Sequence, residues 1–295
     1  MSKTVQMPKT PPVDVVDVSS MKAIGVRPNL KTYIRQLWQL RHFIHEQARG
    51  KAFRNSRGTV LGRLWILIEP FLNSAIYIVL FGMILHLDRG IPNFVGYMFV
   101  GSIIFMFCRS TLGSSGEIMQ QSAPLLKSFT FPRATIVIAH IEMLTLNSVS
   151  QYAVMLVGVL FVGDGARPSI HWLVFPLVVV LQIVFNLGLS FFVSALTNRI
   201  PDLKFIWRLV AIFWFYGSGI FFSVSRFVTH PVVASLMEAN PGYVLLTISR
   251  DLILYNQMPP LSMWIYFIVW SIGLLIVGGF LFWRNEESYG AKNDR

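Results

Sequence analysis

Between residues 64 and 283 the chain is dominated by long apolar stretches, and few ionisable residues fall inside them: Glu69, Arg109, His140, Glu142 and Arg208. Six stretches, 64–85, 94–116, 136–162, 172–196, 205–222 and 261–283, each approach the ~20 residues a helix needs to cross a bilayer core. A backbone in hydrocarbon must satisfy its own hydrogen bonds, which leaves helices or a closed barrel. Runs of this length without alternation predict an all-α integral membrane protein with six spans. Charged residues make up 13% of the 295, against roughly 25% in soluble domains. So few charges exclude an ordinary water-soluble enzyme and a disordered chain. A single cysteine, Cys108, excludes a disulfide framework.

The net charge of +11 is unevenly placed. Twelve Lys/Arg precede residue 64, and further ones lie at Lys127, Arg133, Arg199, Lys204, Arg208, Arg284, Lys292 and Arg295. The opposite loops hold only Arg89, Arg167, Arg226 and Arg250. The positive-inside rule puts both termini in the cytoplasm, and the even span count agrees. Basicity of this kind serves a membrane surface, and no nucleic-acid partner is implied. No basic start with an apolar stretch and a small-residue cleavage site is present, so no cleaved signal peptide is expected.

The domain reading follows. Residues 1–28 form a flexible cytoplasmic tail. Residues 29–63 hold a basic amphipathic helix over 29–53, with Asn29 as its cap, lying at the membrane interface or packed on the protein. The membrane domain covers 64–283, and 284–295 is a second cytoplasmic tail. Between spans five and six, the segment 223–260 contains two apolar stretches, 232–239 and 243–254, both too short to cross. Asn240-Pro241 suits the cap and first turn of the second. The pair reads as helices that dip back into the membrane from the outer side, forming a gate or a stabilising cap.

Motifs for chemistry are missing. There is no G-x-x-x-x-G-K-[ST] loop, so the chain cannot cradle ATP phosphates by itself. His42, His45 and Glu46 lack the H-E-x-x-H spacing, and no metal site is expected. Arg109 and Glu142, both within spans, suggest an internal pair or a proton path.

Leu61-Gly62-Arg63-Leu64-Trp65, followed by Pro70 and by Phe81-Gly82, resembles the opening of the membrane subunit of ABC-2 type exporters. The branch it is most similar to exports O-antigen, capsule, teichoic acid and galactan chains. Pro124 to Lys127 and Phe131-Pro132-Arg133 match the connection that docks on the ATPase. Asn240-Pro241 with Arg250 matches the outer re-entrant region. The chain departs from the family where Ile200-Pro201 separates Arg199 from Asp202, where Ser218-Gly219-Ile220-Phe221 replaces S-P-I-x-Y, and at Glu69.

The resemblance implies a non-enzymatic permease with no cofactor of its own, working as a homodimer with two copies of a partner ATPase that carries ATP and Mg. The implied cargo is a lipid-linked polysaccharide, moved across the bacterial cytoplasmic membrane. Drugs or small lipids are the alternative cargo, and a membrane glycosyl- or phosphotransferase a more distant one. Leu125, Leu126, Lys127, Phe129 and Arg133 are the expected ATPase-coupling residues, because an apolar patch on a short cytoplasmic loop is costly to leave wet. Ser122 would cap that short helix. Arg199 and Asp202 take secondary coupling roles, Asp202 also as a cap. Arg54, Arg57 and Arg63 would hold the pyrophosphate of the lipid carrier bidentately, or anionic headgroups. Tyr77, Phe81, Phe105, Trp214, Phe215, Phe221 and Phe222 would wall a sugar path, since C–H faces of sugars stack on rings. Asn240, Pro241 and Arg250 would form the outer gate.

Overall fold

A computed structural model describes residues 29–52, 64–84, 91–129, 131–162, 164, 166–223 and 231–286. The described residues are helices and short connections, with no strand among them. Three helices are long and apolar enough to cross a membrane by length and composition alone: Phe94–Ser115, Ile170–Arg199 and Leu261–Arg284.

The N-terminal segment divides into α1 (Leu30–Gln39) and α2 (Arg41–Ala52), broken at Leu40, where one helix was expected. The two halves answer to different partners. Ile44, Ala48 and Ala52, spaced by four, are buried as α2 lies along α7 (Ala134–Gly158). Tyr33 of α1 instead enters a polar knot with Glu286 and the start of α7. Its hydroxyl donates to Glu286 Oε2 at 2.7 Å and accepts from the Ala134 N–H at 3.1 Å. Glu286 Oε1 accepts from the Arg133 N–H at 2.7 Å, so a carboxylate beyond the last helix caps the start of α7. Burial pushes the Glu286 carboxyl up, and the bonds from Arg133 and Tyr33 pull it back. The outward face of α1 keeps Leu30, Ile34 and Trp38 exposed, one apolar stripe at a spacing of four.

α3 (Leu64–Tyr77) contains Pro70 and continues as a π-helical turn through Ile78–Ile84. α4 (Phe94–Ser115) is apolar and buried nearly all round, and the other helices gather about it. Two short helices follow, α5 (Ile118–Gln121) and α6 (Ala123–Ser128), then α7. α8 (Phe175–Arg199) is entered through the 3-10 turn Ile170–Val174. After α9 (Leu203–Gly217) come α10 (Pro231–Glu238), α11 (Pro241–Ile253) and α12 (Leu261–Arg284).

Contacts fix the helix directions. Phe185 meets Phe267 at 5.6 Å and Phe191 meets Phe282 at 5.1 Å, so α8 and α12 run parallel. Their backbones touch because a Cβ on Gly188 would come within 2.4 Å of Leu275 N, and one on Gly278 within 2.3 Å of Gly188 O. α7 runs antiparallel to α4, with Ser114 on His140 at one end and Phe99 on Gly158 at the other. α9 is also antiparallel to α4, from the Arg208–Glu117 ion pair to Trp214 on Phe105.

The expected fifth span stops early. α9 ends at Gly217, and Ser218–Ser223 leaves helical geometry, with Gly219 at φ +70°. Ser218 Oγ turns back onto the Trp214 carbonyl at 2.6 Å, and only glycine takes the left-handed conformation without strain. α11 packs antiparallel on α4: its first turn, Gly242, lies against Phe105 and its last, Arg250, against Tyr97. Phe105 is the twelfth residue of α4, roughly 17 Å along it at 1.5 Å per residue. Asn240-Pro241 is therefore the tip of the α10–α11 pair, about half-way along α4.

Three expected caps differ. Asn29, Ser122 and Asp202 occupy cap positions, but none makes a side-chain cap bond. Asn240 does, accepting from the Gly242 N–H at 2.9 Å. The expected Arg109–Glu142 pair is not formed. Glu142 pairs with His45 of α2, while Arg109 reaches the Tyr77 hydroxyl at 3.4 Å and sits 4.9 Å from the centre of the Phe215 ring. Helix rotation places the two charges on different neighbours.

Candidate translocation site

Where α9 stops and the tip of the α10–α11 pair arrives, the aromatic residues converge. Tyr77 meets Phe215 at 5.4 Å and Phe221 at 5.3 Å. Phe81 stacks on Phe221 at 4.1 Å, and Tyr216 stacks on it at 5.4 Å. Phe105 packs edge-on to Trp214 at 5.0 Å and to Phe215 at 5.8 Å. The π-helical turn after α3 brings Phe81 into this group, a register that an uninterrupted α-helix would rotate away. Phe105, Phe215 and Phe221 are fully buried here, while Tyr216 and Phe213 are exposed. Phe222 packs at the edge of the same core. In this conformation the rings fill the space between α3, α4 and α9.

The tip is tied to the broken helix by Asn240. Its Oδ1 accepts from Trp214 Nε1 at 2.8 Å as well as from the Gly242 N–H, and its Nδ2 donates to Ser218 Oγ at 3.1 Å. One amide side chain thus bonds the end of α9 to the start of α11.

Arg250 secures the other end of α11. Its guanidinium is buried and lies with its carbon 3.3 Å from the Tyr97 ring centre. Nε donates to the Tyr97 carbonyl at 3.2 Å, Nη1 to Gly219 at 3.1 Å and Nη2 to Ile220 at 3.4 Å. The Tyr97 hydroxyl donates to the Gly219 carbonyl at 2.8 Å. Gly101 makes this possible, because a Cβ there would sit 2.2 Å from Nη2. Arg250 was singled out by sequence; Tyr97 and Gly101 were not, and the aromatic-glycine spacing on α4 carried no signal of its own.

Sequence reasoning also missed a polar seam on α8. Gln182, Asn186, Ser190 and Ser194, spaced by four, are all buried. Gln182 accepts from the Tyr152 hydroxyl at 2.7 Å and donates to the Ile104 carbonyl at 2.9 Å. Ser190 accepts from Ser115 at 2.8 Å, and Ser194 donates to the Ser115 carbonyl at 2.9 Å. The four-residue period was the available sign.

On the α4–α7 connection, Phe129 is exposed, and Leu125 and Leu126 are half-buried. Leu126 packs on the cluster that holds Tyr33 and Phe282, so only part of the expected apolar patch faces out. Lys127 lies on α6. Arg133 belongs to the Glu286 knot, its guanidinium donating to the Glu286 carbonyl. Arg199 ends α8, and Asp202 precedes α9. Arg54, Arg57 and Arg63, with Leu61-Gly62, lie outside the described residues, as do the segments 1–28 and 287–295. Among the described residues no group of His, Cys, Asp or Glu could hold a metal ion.

A bundle of apolar helices with a broken helix, a helix pair folded back along its central helix and a buried polar seam has the architecture of a transporter membrane subunit. The ABC-2 type transporter family profile matches residues 49–254, and the chain belongs to that family. It is 24% identical over 256 residues to the O-antigen export system permease protein RfbA of Myxococcus xanthus, covering 87% of this chain and 97% of that one. An O-antigen export system permease protein RfbA of Klebsiella pneumoniae is 27% identical over 168 residues, covering 57% of this chain and 63% of its own.

Proposed function

We propose that this chain is the permease subunit of an ABC exporter that moves a lipid-linked polysaccharide of O-antigen or galactan type across the bacterial cytoplasmic membrane. It works as a homodimer with two copies of a separate ATPase subunit that binds ATP and Mg. The chain crosses six times, with α3, α4, α7, α8, α9 and α12, and both termini are cytoplasmic. The parallel run of α8 and α12 supports this count, because one crossing, α9, must lie between them.

The observation that carries the reading is the meeting of α9 and α11 at Asn240, beside the aromatic cluster. Backbone that leaves helical geometry at membrane depth is tolerated where it is buried in protein or lines a cavity. Here it is buried, so this is the closed form of a path. The exposed apolar face of α9, with Ile206, Leu209 and Phe213, is the seam against the second copy. Closing of the ATPases presses on α6. The push passes through α5 to the Glu117–Arg208 pair and so to α9. Movement of α9 unstacks Phe215, Tyr216 and Phe221 from Tyr77 and Phe81, and the freed rings line the route for sugar units.

The test is co-reconstitution of this chain with its ATPase in vesicles loaded with labelled lipid-linked polysaccharide. ATP-dependent protection of the sugar chain inside inverted vesicles is expected. Equal movement without ATP, or movement of small lipids alone, overturns the reading.

A further inference from the structure

Between the first turn of α4 and the last turns of α11 lies a cavity of about 330 Å³, on the outer side of the re-entrant pair. Small-ligand pockets begin at about 300 Å³, so the space suits one or two sugar rings rather than a folded partner. Tyr97, Tyr243 and Tyr255 line it together with Thr247, Arg250 and Asp251. We propose that this cavity is a saccharide subsite, in which Asp251 and the tyrosine faces take up a neutral pyranose unit.

The chemistry of the lining selects this ligand. Three of the five N–H donors of Arg250 are committed to backbone carbonyls and the guanidinium is buried, so the site presents no open fork to a phosphate or carboxylate. Two tyrosines are fixed by their hydroxyls: Tyr97 donates to the Gly219 carbonyl, and Tyr255 to the Pro92 carbonyl at 3.3 Å. Tyr243 is held against Gly219, whose missing Cβ would lie 3.0 Å from its ring. Tyr97 is buried with Arg250 on its ring, so the faces on offer are those of Tyr243 and Tyr255, held at little entropic cost. The Asp251 carboxylate is half-buried and accepts no hydrogen bond among the described residues; its backbone carbonyl receives the Gln257 N–H at 2.8 Å. Burial pushes this carboxyl up to about 6, against the pull of Arg250. A half-buried acceptor without donors is what vicinal sugar hydroxyls satisfy, while an acidic sugar would bring a second negative charge to it. The subsite deepens the export reading. It rests on that reading for the source of the sugar, the emerging polymer, but binding itself can be measured independently.

Saturation-transfer NMR on the full chain in lipid nanodiscs tests the proposal with four neutral probes, the methyl glycosides of galactose, glucose, mannose and rhamnose, and with glucuronate. Transfer to ring C–H protons of at least one neutral glycoside is expected, with none to glucuronate. Asp251→Asn, nearly isosteric, should cut the transfer at least fivefold, and so should Tyr255→Leu. Failure of all four probes, or an undiminished signal in Asp251→Asn, overturns the subsite. The reconstituted export assay separates the two readings. Export without glycoside binding removes the subsite alone, whereas glycoside binding without ATP-dependent export removes the export reading and leaves the subsite standing.

Discussion

Burying a guanidinium without a carboxylate costs several kcal/mol unless its N–H groups find acceptors. Three of the five N–H groups of Arg250 find them in the carbonyls of Tyr97, Gly219 and Ile220, and the Tyr97 ring lies against the guanidinium. Arg250→Ala leaves those carbonyls unpaired, and a loss of about 3 kcal/mol is expected in thermal unfolding of the purified chain. Gly101→Ala drives a methyl into the same guanidinium and should cost about 1–3 kcal/mol. Gly113→Ala is the control, because nothing lies within 4 Å of its added Cβ. Asp251 behaves in the opposite sense. Its carboxyl is raised from 3.8 to about 6 in the fold, so the stability tied to it is complete below pH 3.8 and is lost as pH rises through 6. At pH 7 the ionised side chain is a net cost. After allowance for its partial exposure, Asp251→Asn should stabilise the protein by about 1 kcal/mol at pH 7, with no gain near pH 3.5. A residue that lowers stability at neutral pH while facing a cavity fits a binding role.

At the level of elements, the informative events are interruptions. Sequence shows an apolar run from 205 to 222 and predicts one span, because hydropathy adds up side chains and ignores backbone direction. The break at Gly217 comes from Ser218, whose hydroxyl turns back onto the helix, and from Gly219 in the left-handed region. The two short helices before α12 were legible, because their stretches are short and Asn240-Pro241 is a strong helix start. Asn240→Ala removes the cap and the Trp214 bond together. A loss of about 1–2 kcal/mol is expected, read as faster amide exchange in the first turn of α11 than in α12. On the cytoplasmic side, the double substitution Leu125→Glu and Leu126→Glu should abolish ATP-dependent export while ATP hydrolysis by the partner continues. Since Leu126 also packs on the Tyr33 cluster, Leu125→Glu alone is the cleaner variant. Full export by it would remove α6 from the coupling path.

Across the whole molecule, α4 is the axle on which α7, α8, α9 and α11 all pack. The proposed arrangement predicts opposite labelling from the two sides of the membrane. A cysteine at Ser235 of α10 should react with an impermeant maleimide added outside, and one at Gln121 only after the inner side is opened. The native Cys108 is fully buried, which keeps the background low. Labelling of both positions from one side would refute six crossings. The sequence by itself determined that this is a helical membrane protein, where most of its apolar helices fall and that two short helices precede the last one. Those properties are sums over neighbouring residues, and a linear reading contains them. Tertiary structure alone decided that α9 stops at Gly217, that Glu142 pairs with His45, that Phe105, Phe215 and Phe221 are packed inside, and that Asp251 faces a cavity lined by three tyrosines. Each of these depends on how helices rotate and cross one another, through contacts between residues far apart in the chain, which no local sum of hydropathy or charge includes.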